Sequence, residues 1–155
     1  MMNTIVRGVM AGAAGTCALN GATHLDMAVR GRPSSTTPEE TAEAVAARAN
    51  VCIPGAGPDR QARVTGLGAL SGIAVGTGVG VLSAGLRRMG VRLPLWAGAA
   101  TVAALAMAAG NLPIVRLGVS DPRSWSVGDW LSDALPHLAY GLGTYEAVSG
   151  DGARA

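Results

Sequence analysis

The chain contains no phenylalanine and no lysine, and aromatic residues make up only 3% of it. Charged residues are scarce at 14%, where soluble domains carry about 25%. That deficit excludes an ordinary water-facing surface and points to one that faces lipid. The net charge of +2 is small and scattered, with no basic stripe interleaved with aromatics, so nucleic acid is excluded as a partner. Cysteine occurs twice. Cys17 falls in an apolar run and Cys52 in a loop, which gives neither a disulfide framework nor a metal site. Every basic residue is arginine; with abundant alanine and glycine, this usage reads as high-GC bacterial coding rather than chemistry. A phosphate loop, a dinucleotide fingerprint, a serine elbow, a zinc-binding HExxH helix and paired catalytic carboxylates outside the apolar runs are all missing. No enzyme class, metal or cofactor is therefore implied.

What is present is apolar length. The hydrocarbon core of a bilayer needs roughly 20 residues of helix. Four stretches qualify, at about 4–29, 64–86, 93–115 and 127–148, the last being the most polar. The reading is all-α: residues 1–155 form one domain, an integral membrane four-helix bundle. It is placed as a multi-pass protein of the bacterial plasma (inner) membrane, with the lipid bilayer as its first partner. The first stretch has one charge, Arg7, ahead of its apolar run, as a signal peptide does. It continues past Leu19 to Val29, however, and residues 14–17 form no lipoprotein cleavage box, so a retained helix is expected.

The segment from Arg30 to Arg63 is the largest polar one. Thr37-Pro38-Glu39-Glu40 predicts a helix start, with Thr37 as cap, Pro38 in the first turn and Glu40 closing a capping box. A short amphipathic helix over about 38–50 follows, its weak apolar face (Ala42, Val45, Ala46, Ala49) resting on the membrane or on the bundle. Pro54-Gly55-Ala56-Gly57-Pro58 breaks the chain before the second span. Ser126 and Asp129 predict a second capping box at the start of the fourth. Trp96 stands at the entry of the third span and Trp125 and Trp130 at that of the fourth, marking opposite interfaces. Arg30, Arg32, Arg48, Arg60, Arg63, Arg116 and Arg123 fall on the long-loop face. Arg7, Arg87, Arg88, Arg92 and Arg154 fall on the other, so the arginine count leans toward a cytoplasmic long loop.

Gly68, Gly72, Gly76 and Gly80 recur every four residues on the second span, with Ala84 continuing the row, and the first span adds Gly8 and Gly12. Residues four apart share a helix face, and in lipid close backbone contact supplies the attraction between helices. Two readings stand: close packing inside one bundle, or an oligomer seam or pore lining. Gly76-Thr77-Gly78-Val79-Gly80 echoes a potassium filter, but a filter needs backbone between two helices rather than a continuous span.

Polar residues inside spans are functional hypotheses by default. Asp129, Asp133, His137 and Tyr140 are spaced four, four and three apart and so share a face of the fourth helix. Asn20 and His24 continue a row from Thr16 on the first helix, and Asn111 lies on the third. With about 1.5 Å of rise per residue, alternating helix directions place His24, Asn111 and Asp133 in one half of the bilayer, roughly 7–11 Å from its middle. Pro136 frees the carbonyl of Ser132 beside them. Three readings remain open. The cluster is a satisfied network with Asp133 paired to His24 and Asn20 and Asn111 bonded across helices, a proton-responsive site, or a site for a metal or small polar ligand. About 10 Å of depth separates His24 from His137, which weighs against the last and against haem ligation.

The segments Leu25-Asp26-Met27, Gly31-Arg32-Pro33-Ser34-Ser35, Leu117-Gly118-Val119 with Asp121-Pro122, Trp125, and Asp133-Ala134-Leu135-Pro136-His137-Leu138-Ala139-Tyr140-Gly141 resemble those of small, uncharacterised four-span membrane proteins of high-GC bacteria. The resemblance covers most of the chain and implies the fold but no activity. The final segment alone is similar to an inner-membrane family linked to acid stress, which has a carboxylate and a histidine on its last helix after a Trp-bearing loop. That similarity implies cytoplasmic termini, against the arginine count. The expected function is a non-enzymatic accessory or interaction protein, with a homo-oligomer or a membrane-complex partner. The alternative is a small transporter, channel or proton-responsive element using Asp133, His137 and His24. A membrane enzyme acting on lipid would rest on the same residues.

Overall fold

The structure, a computed structural model, describes residues 3–150. Arg154 and the extreme ends of the 1–155 domain lie outside the described residues. Among the described residues there are five α-helices, one 3-10 turn and no strand. The helices are α1 (Thr4–Arg30), α2 (Thr37–Arg48), α3 (Gly57–Arg88), α4 (Leu95–Leu117) and α5 (Val127–Ser149), with the 3-10 turn at Pro122–Ser124.

The ends follow local chemistry. Asn3 caps α1 by accepting from the Ile5 amide. Ser126 and Asp129 form both halves of a capping box on α5, as the sequence predicts. At α2 the expected cap shifts by one residue. Thr36 holds the cap position and makes no bond to the helix amides, because its hydroxyl donates to Glu40 at 2.7 Å instead. α3 begins at Gly57, seven residues before the predicted span. Pro58 opens the first turn with Asp59 behind it and starts the helix rather than ending the loop. Three helices end in the same paired-bond turn, with Asn50, Gly90 and Gly118 in left-handed conformation. At Gly90, the Val91 amide donates to Leu86 and the Gly90 amide to Arg87.

α1 packs against α3 and α5, and α5 packs against α4; α3 and α4 touch only lightly. All these neighbours run antiparallel. Glycine makes the close approach workable. A Cβ at Gly12 would overlap the Gly76 carbonyl and stand 2.7 Å from Thr77 Cα, and one at Gly80 would overlap the backbone of Gly8 and Gly12. The glycine hydrogens therefore point at carbonyl oxygens across the seam. Such Cα–H···O contacts stabilise helix pairs by roughly 0.5–1 kcal/mol each. Gly141 meets the Ala99 carbonyl on α4 in the same way.

The buried side of α1 is Gly8, Ala11, Gly12 and Gly15; that of α4 runs from Gly98 to Ala106 and that of α5 from Pro136 to Val148. Tight packing is thus concentrated at the end opposite the long loop. At the long-loop end α2 covers α3, with Pro38 on Gly68, and touches α4. The short helix therefore rests on the bundle. Gly72 corrects the glycine row: a Cβ there meets nothing within 4 Å. A step of four residues advances about 40° beyond a full turn. The row consequently winds from α2 at Gly68 to α1 at Gly76 and Gly80, and Gly72 falls between them.

By length and composition, α3 and α4 are apolar enough to cross a membrane. A third of the most apolar stretch of α3 and 28% of that of α4 are buried, so neither stretch is enclosed by the rest of the fold.

Candidate functional site

The polar groups meet where the lower turns of α4 face the upper turns of α5. Asn111 Nδ2 donates to Asp133 Oδ2 at 2.9 Å. Asp133 Oδ1 stands 3.2 Å from His137 Nδ1, one helical turn further along. That nitrogen is also 2.7 Å from the Asp133 carbonyl oxygen. A carbonyl only accepts, so Nδ1 carries a proton. A neutral ring then presents Nε2 as an acceptor, and no described residue bonds to it. The two side chains are largely enclosed, His137 at 18% and Asp133 at 20% exposure. Pro136 is buried between them on α5, and Pro113 follows Asn111 on α4. Each interior proline removes one helix hydrogen bond, so both helices are locally loosened at the cluster.

The tyrosines lock the opposite half. Tyr140 Oη donates to the Gly76 carbonyl at 2.6 Å, joining α5 to α3. Tyr145 lies flat against Gly98, and its hydroxyl accepts from the Leu93 amide at 2.9 Å and donates to the Leu93 carbonyl at 2.6 Å. Sequence reasoning missed Tyr145; its clue was a second tyrosine five residues after Tyr140. It also missed Pro113 and the fully buried Thr144, whose hydroxyl has no hydrogen-bond partner among the described residues.

Besides Tyr140, three expected members of the cluster, Asn20, His24 and Asp129, stand apart. Asn20 and His24 are exposed on α1, and Asp133 pairs with His137 rather than His24. Asn111 bonds to Asp133 rather than Asn20. The cause is again the 40° drift per four residues, which carries the row from Thr16, against Gly76, round to the outer face. Asp129 is exposed and serves the capping box. Beside it, Arg30 grips Asp26 through Nε at 2.6 Å and Nη2 at 2.7 Å, and also reaches Ser132 on α5. Arg32 joins the same carboxylate. This knot ties α1 to α5 at the long-loop end.

Among the described residues no three His, Cys, Asp or Glu side chains gather in a way that would hold a metal ion. Cys17 and Cys52 are free thiols. A hollow of about 640 Å³ lies along Val115 and residues 118–123, and none of Asn111, Asp133 and His137 lines it. Its polar lining residues are Ser120, Asp121 and Arg123, on the turn that follows α4. No protein-family model matches the chain, and no curated protein or solved structure matches it.

Proposed function

We propose that all four long helices cross a bilayer and that the chain is a non-enzymatic accessory or interaction protein of the bacterial plasma membrane. One observation carries this reading: large apolar side chains stand exposed on α1 and α5 as well as on α3 and α4. On α1 these include Ile5, Met10, Leu25 and Val29; on α5, Val127, Leu131, Leu135 and Leu138. α1 and α5 fall short in average hydropathy because of polar residues. On α5 those residues form the helix cap and the bonded cluster, leaving the outside apolar. An apolar exterior of this extent suits lipid and is a liability in water. At about 1.5 Å per residue, the 23 residues of α4 and of α5 span about 34 Å, enough for the roughly 30 Å hydrocarbon core.

Asn20 and His24 supply the argument for a partner. In lipid, exposed groups of this kind are satisfied by bonding to another helix. The partner in this reading is a second copy or another membrane protein, docked on the outer face of α1. Resistance of the protein to alkaline carbonate extraction tests the membrane reading, and release into the soluble fraction would end it. Crosslinking and pull-down in mild detergent test the partner: capture by the wild type, lost in Asn20→Leu/His24→Leu, is the expected result.

A second reading is a small transporter, channel or proton-responsive element. The unclaimed His137 Nε2, held by the Asp133 pair, favours it. Proton flux in reconstituted vesicles that disappears in Asp133→Asn would support this reading, and its absence in the wild type would remove it.

A further inference from the structure

We infer that the turn joining α3 to α4 is a docking surface for the headgroups of anionic phospholipids. The inference rests on the membrane reading above and adds which leaflet this end of the bundle faces. The turn, residues 89–94, is built rather than slack. The paired-bond turn at Gly90 closes its first half, and the Tyr145 hydroxyl clamps the amide and carbonyl of Leu93 in its second. Arg88 and Arg92 project from this fixed frame. Both are exposed, and neither has a side-chain partner among the described residues. Arg87, by contrast, is turned inward over the Tyr145 ring and onto the Ser149 carbonyl.

Around the two free guanidiniums the surface is apolar. Met89 is 80% exposed and Trp96 73%, with Val91, Leu93 and Leu95 between them. Guanidinium at the water side, tryptophan at headgroup depth and aliphatic side chains beyond them match the layers of a phospholipid leaflet. Charge complementarity decides which lipid. Among the described residues the α3–α4 connection and its neighbouring turns carry Arg87, Arg88 and Arg92, with Glu146 as the one carboxylate near them. The other end has more arginines, but its seven stand among seven carboxylates, Asp26, Glu39, Glu40, Glu43, Asp59, Asp121 and Asp129. Asp26 holds Arg30 and Arg32, Glu43 holds Arg60, and the Pro54 and Arg116 carbonyls take Arg63 and Arg48. Arg116 and Arg123 remain, and they share their connection with Asp121 and Asp129. A count of arginines alone favours the long-loop face, whereas unneutralised charge favours the α3–α4 turn. Basic groups near a membrane surface are drawn to the anionic cytoplasmic leaflet. This places the turn and the start of α1 on the cytoplasmic side and the long loop outside.

The test uses the full chain reconstituted in phosphatidylcholine vesicles with and without phosphatidylglycerol, then extracted in mild detergent. Lipid retained per protein is measured by mass spectrometry. The wild type is expected to retain phosphatidylglycerol roughly fivefold or more above its share of the bilayer. Arg88→Gln/Arg92→Gln should lose that enrichment, while Arg88→Lys/Arg92→Lys and Arg116→Gln/Arg123→Gln keep it. Wild-type protein that inserts but shows no enrichment, or enrichment untouched in the Gln pair, overturns this site and leaves the membrane reading standing. A chain that stays soluble without lipid overturns the membrane reading and this site with it.

Discussion

The hydroxyl of Tyr140 on α5 donates to the carbonyl of Gly76 on α3 at 2.6 Å, across the interior of the bundle. Gly76 also makes room for α1: a Cβ there would overlap the Thr16 hydroxyl, while standing in ordinary contact, 3.5 Å, with the Tyr140 ring. Tyr140→Phe keeps the ring and removes only this bond. It should cost about 0.5–1.5 kcal/mol, read as a lowered midpoint of thermal unfolding in detergent. An unchanged midpoint would show that the ring alone holds the seam.

The glycine row gives a sharper contrast. Gly80→Ala puts a methyl group into the backbone of Gly8 and Gly12 and should cost about 1–3 kcal/mol. Gly72→Ala meets open space and should leave stability unchanged, or raise it by up to about 1 kcal/mol through helix propensity. Unfolding of the two variants side by side checks this. Equal losses would mean that Gly72 faces a packed surface.

How much of this was legible beforehand follows from how local each feature is. The four long helices announce themselves by apolar length, and the Ser126–Asp129 box by a spacing of three. The meeting of Asn111 with Asp133 follows from counting residues inward along helices of alternating direction. The separation of His24 from that pair depends on angle rather than depth, and a four-residue row rotates away from its starting neighbour. Gly72 escapes the seam for the same reason. The clamp of Tyr145 on Leu93 joins residues far apart in sequence, so only the packed bundle reveals it. Pro58 starting α3 was a choice between two local roles for one residue, and the acidic Asp59 behind it was the available clue.

The polar cluster should behave as a coupled unit. Asn111→Leu leaves one Asp133 oxygen without its donor, and Asp133→Leu strands both Asn111 and His137. Interhelical hydrogen bonds in membranes contribute about 0.6 kcal/mol on average and up to about 1.7. A double-mutant cycle on Asn111 and Asp133 should therefore give a coupling within that range. Coupling indistinguishable from zero would show that the bond does not hold α4 to α5.

His24 and Asn20 should be uncoupled from that unit. In the same cycle format His24→Leu against Asp133→Leu is expected to be additive, because the structure places no bond between them. Non-additivity beyond about 0.5 kcal/mol would return His24 to the cluster.

The central claim is that four helices cross the bilayer, and sidedness tests it most directly. Single cysteines are placed at residue 3, at the native Cys52 and at residues 91, 120 and 150, with the other native thiols replaced by serine; these sites bracket each long helix in turn. They are then probed in oriented membrane vesicles with a membrane-impermeant maleimide. Four crossings put residues 3, 91 and 150 on one side and Cys52 and residue 120 on the other. If residues 3, 52, 120 and 150 react from one side and 91 from the other, only α3 and α4 cross and the account is wrong; if all five react from the same side, no helix crosses at all.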